Sequence, residues 1–455
     1  MSLRIVGFTS GITAAILAIS VFSTTTSAER QEVHLPQLPK TTSKADFVLF
    51  SEMRARIGRL LFYDKVLSGN RNISCGTCHN HEHAGSDGLS LGIGEGGIGV
   101  GPHRRIPRNR DMPDRRLSRN SPALFNLGHR DIKVLFHDGR LTRSDIYGNG
   151  FNSPAGRYLP RGLSGLIAAQ AMLPVASAVE MAGNADENDV GAALRERVDY
   201  VWPILAKRVA RIDIYADRFA EAFEDINDRS DIKMAHVANA IADFVNSEWR
   251  SFDSPFDHYL KGDRDALSTT QLTGMKLFFG AAQCASCHSG PMFSDQAFHG
   301  LAIPPYGPGR IRMFDPYARD VGRMSETDLL IDAYRFRTPS LRNVAVTGPW
   351  GHNGAYSTLE GIVRHHLDPL LGLGMWNPAQ VVLPYSETFG LTDFAIWQDS
   401  RELARLKRSI SIDIPPRSPR EVAALVAFLK GLTGRNSVKG RLGKPRTVPS
   451  GLPVD

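Results

Sequence analysis

The chain has 455 residues, of which 42% are hydrophobic and 22% are charged. This is the composition of a soluble globular protein with room for two or three ordinary domains. The formal net charge is +7, but the sequence has no base-stacking motif, so no nucleic-acid partner is expected.

The N-terminal segment has the pattern of an export signal. No charge follows Arg4 until Glu29, residues 12–22 form a mostly apolar core, and small residues precede Ala28. We expect a signal peptide over residues 1–28, export to the periplasm, and a polar linker over residues 29–48. The alternative is a retained anchor, although the apolar run is shorter than the ~20 residues that span a bilayer. No later segment is long and apolar enough to span one.

All four cysteines lie in two short motifs. The motifs are Cys75-Gly-Thr-Cys78-His79, the first motif, and Cys284-Ala-Ser-Cys287-His288, the second motif. C-x-x-C-H is the attachment signature of a c-type haem, in which both thiols bind the porphyrin and the histidine binds the iron. A zinc site would not require a histidine after each pair, and a redox dithiol would require only one pair. We therefore predict two covalently bound haem c groups, iron redox chemistry, and no disulfide.

An imperfect repeat precedes the two motifs. Gly58-Arg-Leu-Leu61-Phe62 lies before the first, and Gly274-Met-Lys-Leu277-Phe278 before the second. A glycine that permits a close helix crossing, followed by an apolar pair, suits the first helix of a cytochrome c. The repeat predicts a mostly α fold with two tandem cytochrome c-like haem domains, at residues 49–250 and 251–435, and long loops.

Two further helices are predicted near the ends of these domains. Apolar residues recur at helical spacing over residues 232–249, and turn-forming residues follow at 251–255. Ser418-Pro-Arg-Glu421 is a capping box that opens a second helix, which ends at Gly431 or Gly434. Residues 436–455 are basic and rich in proline, which favours a loose tail.

Two long loops lie between the first motif and residue 120. Residues 92–101 hold six glycines, so this loop is expected either to lie close to a haem or to move. Residues 103–119 contain seven arginines and two aspartates. These arginines form a solvated loop, pair with haem propionates, or steer an acidic partner.

Five other stretches are distinctive, namely Arg119-Asn-Ser-Pro122, Phe136-His-Asp-Gly-Arg140, Gln170 through Val179-Glu180-Met181, Arg337-Thr-Pro-Ser-Leu-Arg-Asn343 and Thr347-Gly-Pro-Trp-Gly-His352-Asn-Gly354. Together with the haem motifs, they make residues 50–435 resemble the bacterial dihaem cytochrome c peroxidase and MauG superfamily. The resemblance implies that the first haem binds peroxide and that the second stores or delivers electrons.

The resemblance also implies roles for single residues. Glu180 matches the carboxylate above the peroxide-binding haem, where it would move a proton between the peroxide oxygens; an ordinary surface glutamate is the alternative. Gln170 is a second candidate, either catalytic or structural. Asn120, Thr347 and Pro349 match the oxygen ligands of a calcium ion between the haems, and without the resemblance they would read as turn formers.

Two positions near the haems depart from the family pattern. His137 stands where the family has a tryptophan between the haems, so it is either a relay or a hydrogen-bonded core histidine. His366 falls where the family has methionine or tyrosine as the distal ligand of the second haem, with His365 as the neighbouring alternative. Two histidine ligands would make this haem a poorer electron acceptor than histidine and methionine would.

The third departure concerns the first haem. Glu95 occupies the position of the removable histidine of peroxidases that need reductive activation, while His81, His83 and His103 lie in the same loop. We expect this haem to be five-coordinate or water-bound.

The function implied is reduction of hydrogen peroxide to water with electrons from a small periplasmic cytochrome c or cupredoxin. Two alternatives remain. One is a MauG-like enzyme that uses peroxide to oxidise residues such as tryptophan in a partner protein. The other is a non-catalytic dihaem electron carrier, which would need strong ligands on both sides of both irons.

Overall fold

The computed structural model describes residues 38–107, 112–310 and 318–455. The expected signal peptide lies outside these ranges. The described chain is mostly helical, which confirms the predicted class. Its α-helices are α1 (Glu52–Tyr63), α2 (Cys75–Cys78), α3 (Leu166–Ala171), α4 (Asp189–Glu196), α5 (Val201–Ala210), α6 (Asp213–Ala222), α7 (Met234–Glu248), α8 (Pro255–Leu260), α9 (Thr269–Phe279), α10 (Met324–Thr327), α11 (Leu359–Leu367), α12 (Pro369–Met375), α13 (Glu387–Gly390), α14 (Ser400–Arg408), α15 (Pro419–Lys430) and α16 (Arg435–Lys439).

Five short strands form two small antiparallel sheets. They are β1 (Val134–Leu135), β2 (Leu141–Arg143), β3 (Phe151–Asn152), β4 (Phe298–Gly300) and β5 (Arg335–Arg337). The first sheet has the order β1-β2-β3, with Leu135 opposite Leu141. In the second sheet β4 pairs with β5, with His299 opposite Phe336.

The repeat seen in the sequence reappears as two helix crossings. Helix α1 packs on α7, and α9 packs on α15. A Cβ atom built on Gly58 would lie 1.9 Å from the carbonyl oxygen of Ala240, and one on Gly274 would lie 1.9 Å from that of Ala424. Only glycine fits at either crossing, so the predicted role of these two residues is confirmed.

Local sequence explains where the crossing helices begin and end. The helix expected over 232–249 spans Met234–Glu248, and every one of its residues is buried. At α15 the expected capping box is present: the Ser418 backbone N–H donates to Glu421 Oε2 at 2.8 Å, and the Glu421 N–H donates to Ser418 Oγ at 3.3 Å. Both partner helices of the crossings were therefore predictable.

Two large apolar cores accompany the two crossings. The first is centred on Phe62, Phe244 and Trp249, and the second on Phe278 and Phe428, all almost fully buried. Each core contacts one crossing; the first core also contacts Cys75 and Cys78, and the second contacts Cys284. No helix in the described ranges is long and apolar enough to cross a membrane.

The C-terminal segment differs from the expected loose tail. Val448 is buried in the first core, and Lys65 Nζ lies 2.5 Å from Asp455 Oδ1. The Glu248 carboxylate accepts the backbone N–H groups of Leu442 and Gly443, both at 2.7 Å. Residues 438–455 therefore run as a strap over the first core. The basic and proline-rich composition of this segment concealed the few apolar residues that pack there.

The crossing geometry predicts a large difference between two glycine-to-alanine substitutions. Gly58→Ala should lower the free energy of unfolding by about 3 kcal/mol, at the upper end of overpacking costs. Gly374 is a helical glycine, and a Cβ built on it has nothing within 4 Å. In Gly374→Ala the free energy of unfolding should therefore stay equal or rise by about 0.5 kcal/mol. Denaturant unfolding of the two haem-loaded variants measures both. Equal stability of the two would contradict the described crossing.

Candidate active site

One cavity of about 820 Å³ connects the two cysteine motifs. Its lining includes every site residue predicted from the sequence, namely Cys75, Cys78, His79, Asn120, His137, Gln170, Glu180, Cys284, Cys287, His288, Thr347, Pro349 and His366. Most of the remaining lining is apolar, as a porphyrin requires. The structure therefore brings together residues that lie up to 291 positions apart in the chain.

The first motif presents one histidine nitrogen to this cavity. Helix α2 carries both cysteines, and His79 follows at its C-terminal end. The His79 Nδ1 atom lies 3.0 Å from the Gly85 carbonyl oxygen, so Nδ1–H donates to it and Nε2 is left as the coordinating atom. Burial lowers the pKa of His79, which favours the neutral imidazole that binds metals.

The second motif faces a second histidine across the cavity. Nδ1 of His288 lies 3.0 Å from the Phe293 carbonyl oxygen, and Nδ1 of His366 lies 2.8 Å from that of Ile362. Both rings therefore keep Nε2 free. Their centroids are 6.3 Å apart, a spacing at which both can coordinate one metal atom. Burial, together with the nearby His366 ring, lowers the pKa of His288 to about 4.

His365 is engaged elsewhere. Its Nδ1 lies 2.7 Å from the Tyr356 hydroxyl, and its Nε2 lies 2.7 Å from the Leu301 carbonyl oxygen. The ring is fully buried and is absent from the cavity lining. Of the two neighbouring histidines, the geometry leaves only His366 free to reach the cavity.

Glu180 lies on a single π-helical turn, Ala178–Ala182, a type of turn that often occurs at functional sites. Burial raises the pKa of its carboxyl group, and the Arg140 guanidinium partly opposes this shift. Burial also raises the pKa of the Cys78 thiol to about 12, with the charges of Asp87 and Glu180 contributing, so Glu180 lies close to the first motif. Gln170, at the end of α3, lines the same cavity.

His137 lies at the cavity wall with a neighbouring imidazole. Its ring centroid is 6.4 Å from that of His352, which stacks on Phe336 at 3.6 Å. His137 Nε2 and His352 Nδ1 are buried and have no hydrogen-bond partner among the described atoms. Burial, and then the charge of Arg119, lowers the pKa of His137 well below its ordinary value, so this imidazole is neutral.

Arg337 is a cavity residue whose role the sequence did not reveal. It lines the cavity, and its guanidinium donates to the carbonyl oxygens of Phe136 at 3.0 Å and Thr338 at 3.1 Å. Burial lowers its pKa to about 10, and no carboxylate of the described chain lies within ion-pair distance. A buried guanidinium needs a compensating charge, and a haem propionate would supply one. The sequence held one signal for this role: Arg337 opens the stretch 337–343, which is among those that resemble the family.

The arginine-rich segment is largely structural. Arg119 joins Asp138 and Asp320, both at 2.7 Å, while Arg116 pairs with Asp393 at 2.9 Å. Arg104 donates to loop carbonyls. The side chains of Arg105 and Arg115 are exposed, whereas Arg108 and Arg110 lie outside the described residues. Of these five described arginines, the three buried ones are bonded to the protein itself.

A backbone contact joins Asn120, one predicted calcium ligand, to the segment that follows the other two, Thr347 and Pro349. The Asn120 N–H donates to the His352 carbonyl oxygen at 3.0 Å, and Asn120 Nδ2 donates to that of Leu89 at 2.6 Å. This leaves the Asn120 side-chain oxygen for a ligand. Thr347 and Pro349 lie in the segment just before His352. The donor set is made of oxygens without a carboxylate and suits a hard cation.

The candidate sixth ligands of the first haem do not reach the cavity. The Glu95 carboxylate accepts the amides of Asn70 and Asn72 at 2.8 and 2.6 Å. His81 bonds to the Tyr63 hydroxyl through Nδ1 and to Glu248 through Nε2, the latter at 2.9 Å. These two residues, like His83 and His103, are absent from the cavity lining.

Comparison with known proteins agrees with this geometry. The model of the di-haem cytochrome c peroxidase family matches residues 52–265. Over these residues the chain is similar to the di-haem cytochrome c peroxidase family. This similarity supports haem c cofactors and an oxidoreductase of the dihaem peroxidase and MauG kind.

Three relatives show how broad that kind is. Cytochrome-c peroxidase IdrP2 of Pseudomonas sp. (strain SCT) is 28% identical, covering 68% of this chain and 72% of its own. Methylamine utilization protein MauG of Methylorubrum extorquens is 27% identical, covering 69% and 68%. The crystal structure of a MauG-like protein associated with microbial copper homeostasis has a TM-score of 0.54 at 25% identity, covering 89% and 95%. Similarity is thus about equal to peroxidases and to MauG proteins.

The two neighbouring histidines provide a direct test of the second site. His366→Ala should remove the low-spin signal of one iron, because the variant lacks the ring that faces His288. His365→Ala should keep that signal and lower stability by about 1–3 kcal/mol, since it leaves buried partners unsatisfied. Electron paramagnetic resonance and thermal unfolding of the ferric proteins measure both. Loss of the signal in the His365 variant instead would contradict the assignment.

Proposed function

We propose that the protein is a periplasmic dihaem c-type peroxidase, which reduces hydrogen peroxide to water with electrons from a small redox protein. The observation that carries this proposal is the single cavity that joins both cysteine motifs to Glu180. The predicted signal peptide and the requirement that haem c be attached outside the cytoplasm support a periplasmic location.

Residues of both halves would hold the cofactors. In the domain formed by residues 49–250, the first motif would hold the peroxide-binding haem. In that of residues 251–435, the second motif and His366 would hold the electron-transfer haem. Bound haem supplies an iron that binds an oxidant or passes electrons. Arg337 would neutralise a haem propionate, and Asn120, Thr347 and Pro349 would offer oxygens to a calcium ion.

Glu180 would move the proton that O–O cleavage requires. Its carboxylate would take the proton from one peroxide oxygen and return it to the other, which would then leave as water. Because burial raises the pKa of this carboxyl group, its conjugate acid is a competent donor closer to neutral pH. Gln170 lines the same cavity and would help to orient the peroxide.

His137 would separate and connect the two haems. It is neutral and lies beside His352, with one free nitrogen on each ring. An imidazole is harder to oxidise than an indole, but it can pass a proton. We therefore assign to His137 the transfer of protons, or the support of electron tunnelling, between the two sites.

The main alternative is a MauG-like enzyme that uses peroxide to oxidise residues such as tryptophan in a partner protein. It is favoured by the lack of a described histidine that reaches the first haem from the loop at residues 80–107. Mixing the holoprotein with peroxide without a donor separates the two. An oxidised spectrum that persists supports the MauG-like reading. Rapid turnover with a reduced cytochrome c or cupredoxin supports the peroxidase.

A non-catalytic electron carrier is the remaining alternative. In that case neither iron would bind an external ligand. Titration of the ferric holoprotein with cyanide, followed by absorption, decides the matter. Binding of one cyanide per chain agrees with an open first haem, whereas no binding of cyanide and no reaction with peroxide would exclude the enzyme.

Glu180→Gln should keep both haems and slow the reaction with peroxide at least about tenfold, the lower range for a lost acid–base group. Stopped-flow absorption measures the rate, and a pyridine haemochrome assay measures haem content. Glu196→Gln is a suitable control, since Glu196 is exposed at the end of α4 and is absent from the cavity lining. An unchanged rate in Glu180→Gln would contradict the assigned role.

The raised pKa of Glu180 also sets the direction of the pH dependence. The carboxylate accepts a proton only above its pKa, and burial moves that pKa above the ordinary 4.5. The rate should therefore fall as pH decreases, with a midpoint above 4.5 that is absent in Glu180→Gln. A rate that rises on acidification, or an acid limb retained in the variant, would contradict this role.

A further inference from the structure

The glycine-rich loop, residues 92–101, packs directly against the turn that carries Glu180. A Cβ atom built on Gly94 would lie 2.0 Å from the carbonyl oxygen of Val179 and 3.0 Å from the Cα of Glu180. The backbone N–H of Glu95 donates to that same oxygen at 3.3 Å. Since real Cβ atoms do not approach so closely, the loop touches the turn through bare backbone, which only glycine allows.

Arg104 ties this loop together from inside. Its side chain is buried, with 3% of the residue exposed. Its guanidinium donates to the carbonyl oxygens of Ile93 at 2.6 Å, Gly94 at 2.5 Å and Gly99 at 2.6 Å. No carboxylate in the described ranges forms an ion pair with it. The loop carbonyls are therefore the partners of this buried charge, and a planar fork with five donors suits them better than an ammonium group would.

The other end of the turn is held by a second set of bonds. The Gly69 N–H donates to the Met181 carbonyl oxygen at 2.8 Å, and Asn188 Nδ2 donates to that of Ala182 at 3.0 Å. With Val179 bound by the loop, the backbone is held immediately before and after Glu180.

The Glu180 carboxylate itself lacks such support. It accepts no hydrogen bond from any described residue, and the charge that acts on it is that of Arg140. Its position in the cavity therefore depends on the backbone of its turn. A reacting group displaced by about 1 Å can lose roughly a hundredfold in rate, so the contacts that hold this turn matter for chemistry.

We propose that the glycine-rich loop, tied by Arg104, is a positioning element for Glu180 and fixes its carboxyl group over the first haem site. This inference rests on the proposed role of Glu180. It assigns a role to the loop that neither its composition nor the family comparison provides. Arg104 is a positioning residue that acts through Gly94 and Val179 and does not touch the peroxide.

The test combines Arg104→Lys with Glu180→Gln in a double-mutant cycle on the haem-loaded protein. Lysine keeps the charge, but its three donors sit on one nitrogen, whereas Arg104 reaches the three carbonyl oxygens from three different nitrogens. We expect Arg104→Lys to slow the peroxide reaction about tenfold when Glu180 is present and less than twofold in Glu180→Gln, because coupled residues are not additive. Arg105→Lys, the same substitution at the exposed neighbouring residue, should change neither rate.

A second readout does not depend on activity. Hydrogen exchange of the amides in residues 178–182 should speed up in Arg104→Lys and stay unchanged in Arg105→Lys. An equal loss of rate in both Glu180 backgrounds, or unchanged exchange in the turn, would overturn the positioning role. If Glu180→Gln alone leaves the rate unchanged, the proposed function of Glu180 fails first, and this inference falls with it.

Asn72→Ala provides a second test in case Arg104→Lys does not fold. It frees the Glu95 carboxylate from an amide at 2.6 Å without touching Arg104. We expect Asn72→Ala to slow the peroxide reaction about threefold when Glu180 is present and hardly at all in Glu180→Gln. The loss is smaller than in Arg104→Lys because Asn70 still holds Glu95 and coupled groups share their effect. A loss that persists in Glu180→Gln would again overturn the inference.

Discussion

The architecture depends on two helix crossings that leave no space for a side chain. Gly58 meets the backbone of α7, and Gly274 meets that of α15, each so closely that a Cβ would collide with a carbonyl oxygen. Each glycine-bearing helix precedes a cysteine motif and contacts the helical turn that begins at its first cysteine. The close crossings therefore help to position both motifs, and the two apolar cores that pack around them form walls of the same cavity.

The two ends of the cavity differ in the side chain that lies opposite each cysteine motif. All three candidate iron ligands use the same device, in which Nδ1 is bonded to a backbone carbonyl oxygen and Nε2 stays free. At the second motif the opposite wall supplies another imidazole, His366. Near the first motif it supplies a carboxyl group, Glu180. This difference is the basis for proposing electron transfer at the second site and chemistry on a small oxidant at the first, although both sites contain the same repeat.

Much of this was predictable from sequence because it depends on short-range patterns. The haem motifs, the crossing glycines, α7 and the capping box of α15 are all local signals. The strap over the first core was not predictable, because its few apolar residues matter only once they meet α7 and α1. The contacts of Gly94 and Glu95 with the Glu180 turn were hidden for the same reason, since they join residues 84 or more positions apart. The choice between His365 and His366 required the helix rotation that the structure provides.

The central claim is that one iron keeps an open side facing Glu180 while the other lies between two histidines. The most direct measurement is the electron paramagnetic resonance spectrum of the ferric protein, recorded on a sample with two haems per chain by pyridine haemochrome assay. We predict one high-spin and one low-spin signal in equal amounts, with only the high-spin signal changed by cyanide. Two low-spin irons that are both unaffected by cyanide would contradict the account.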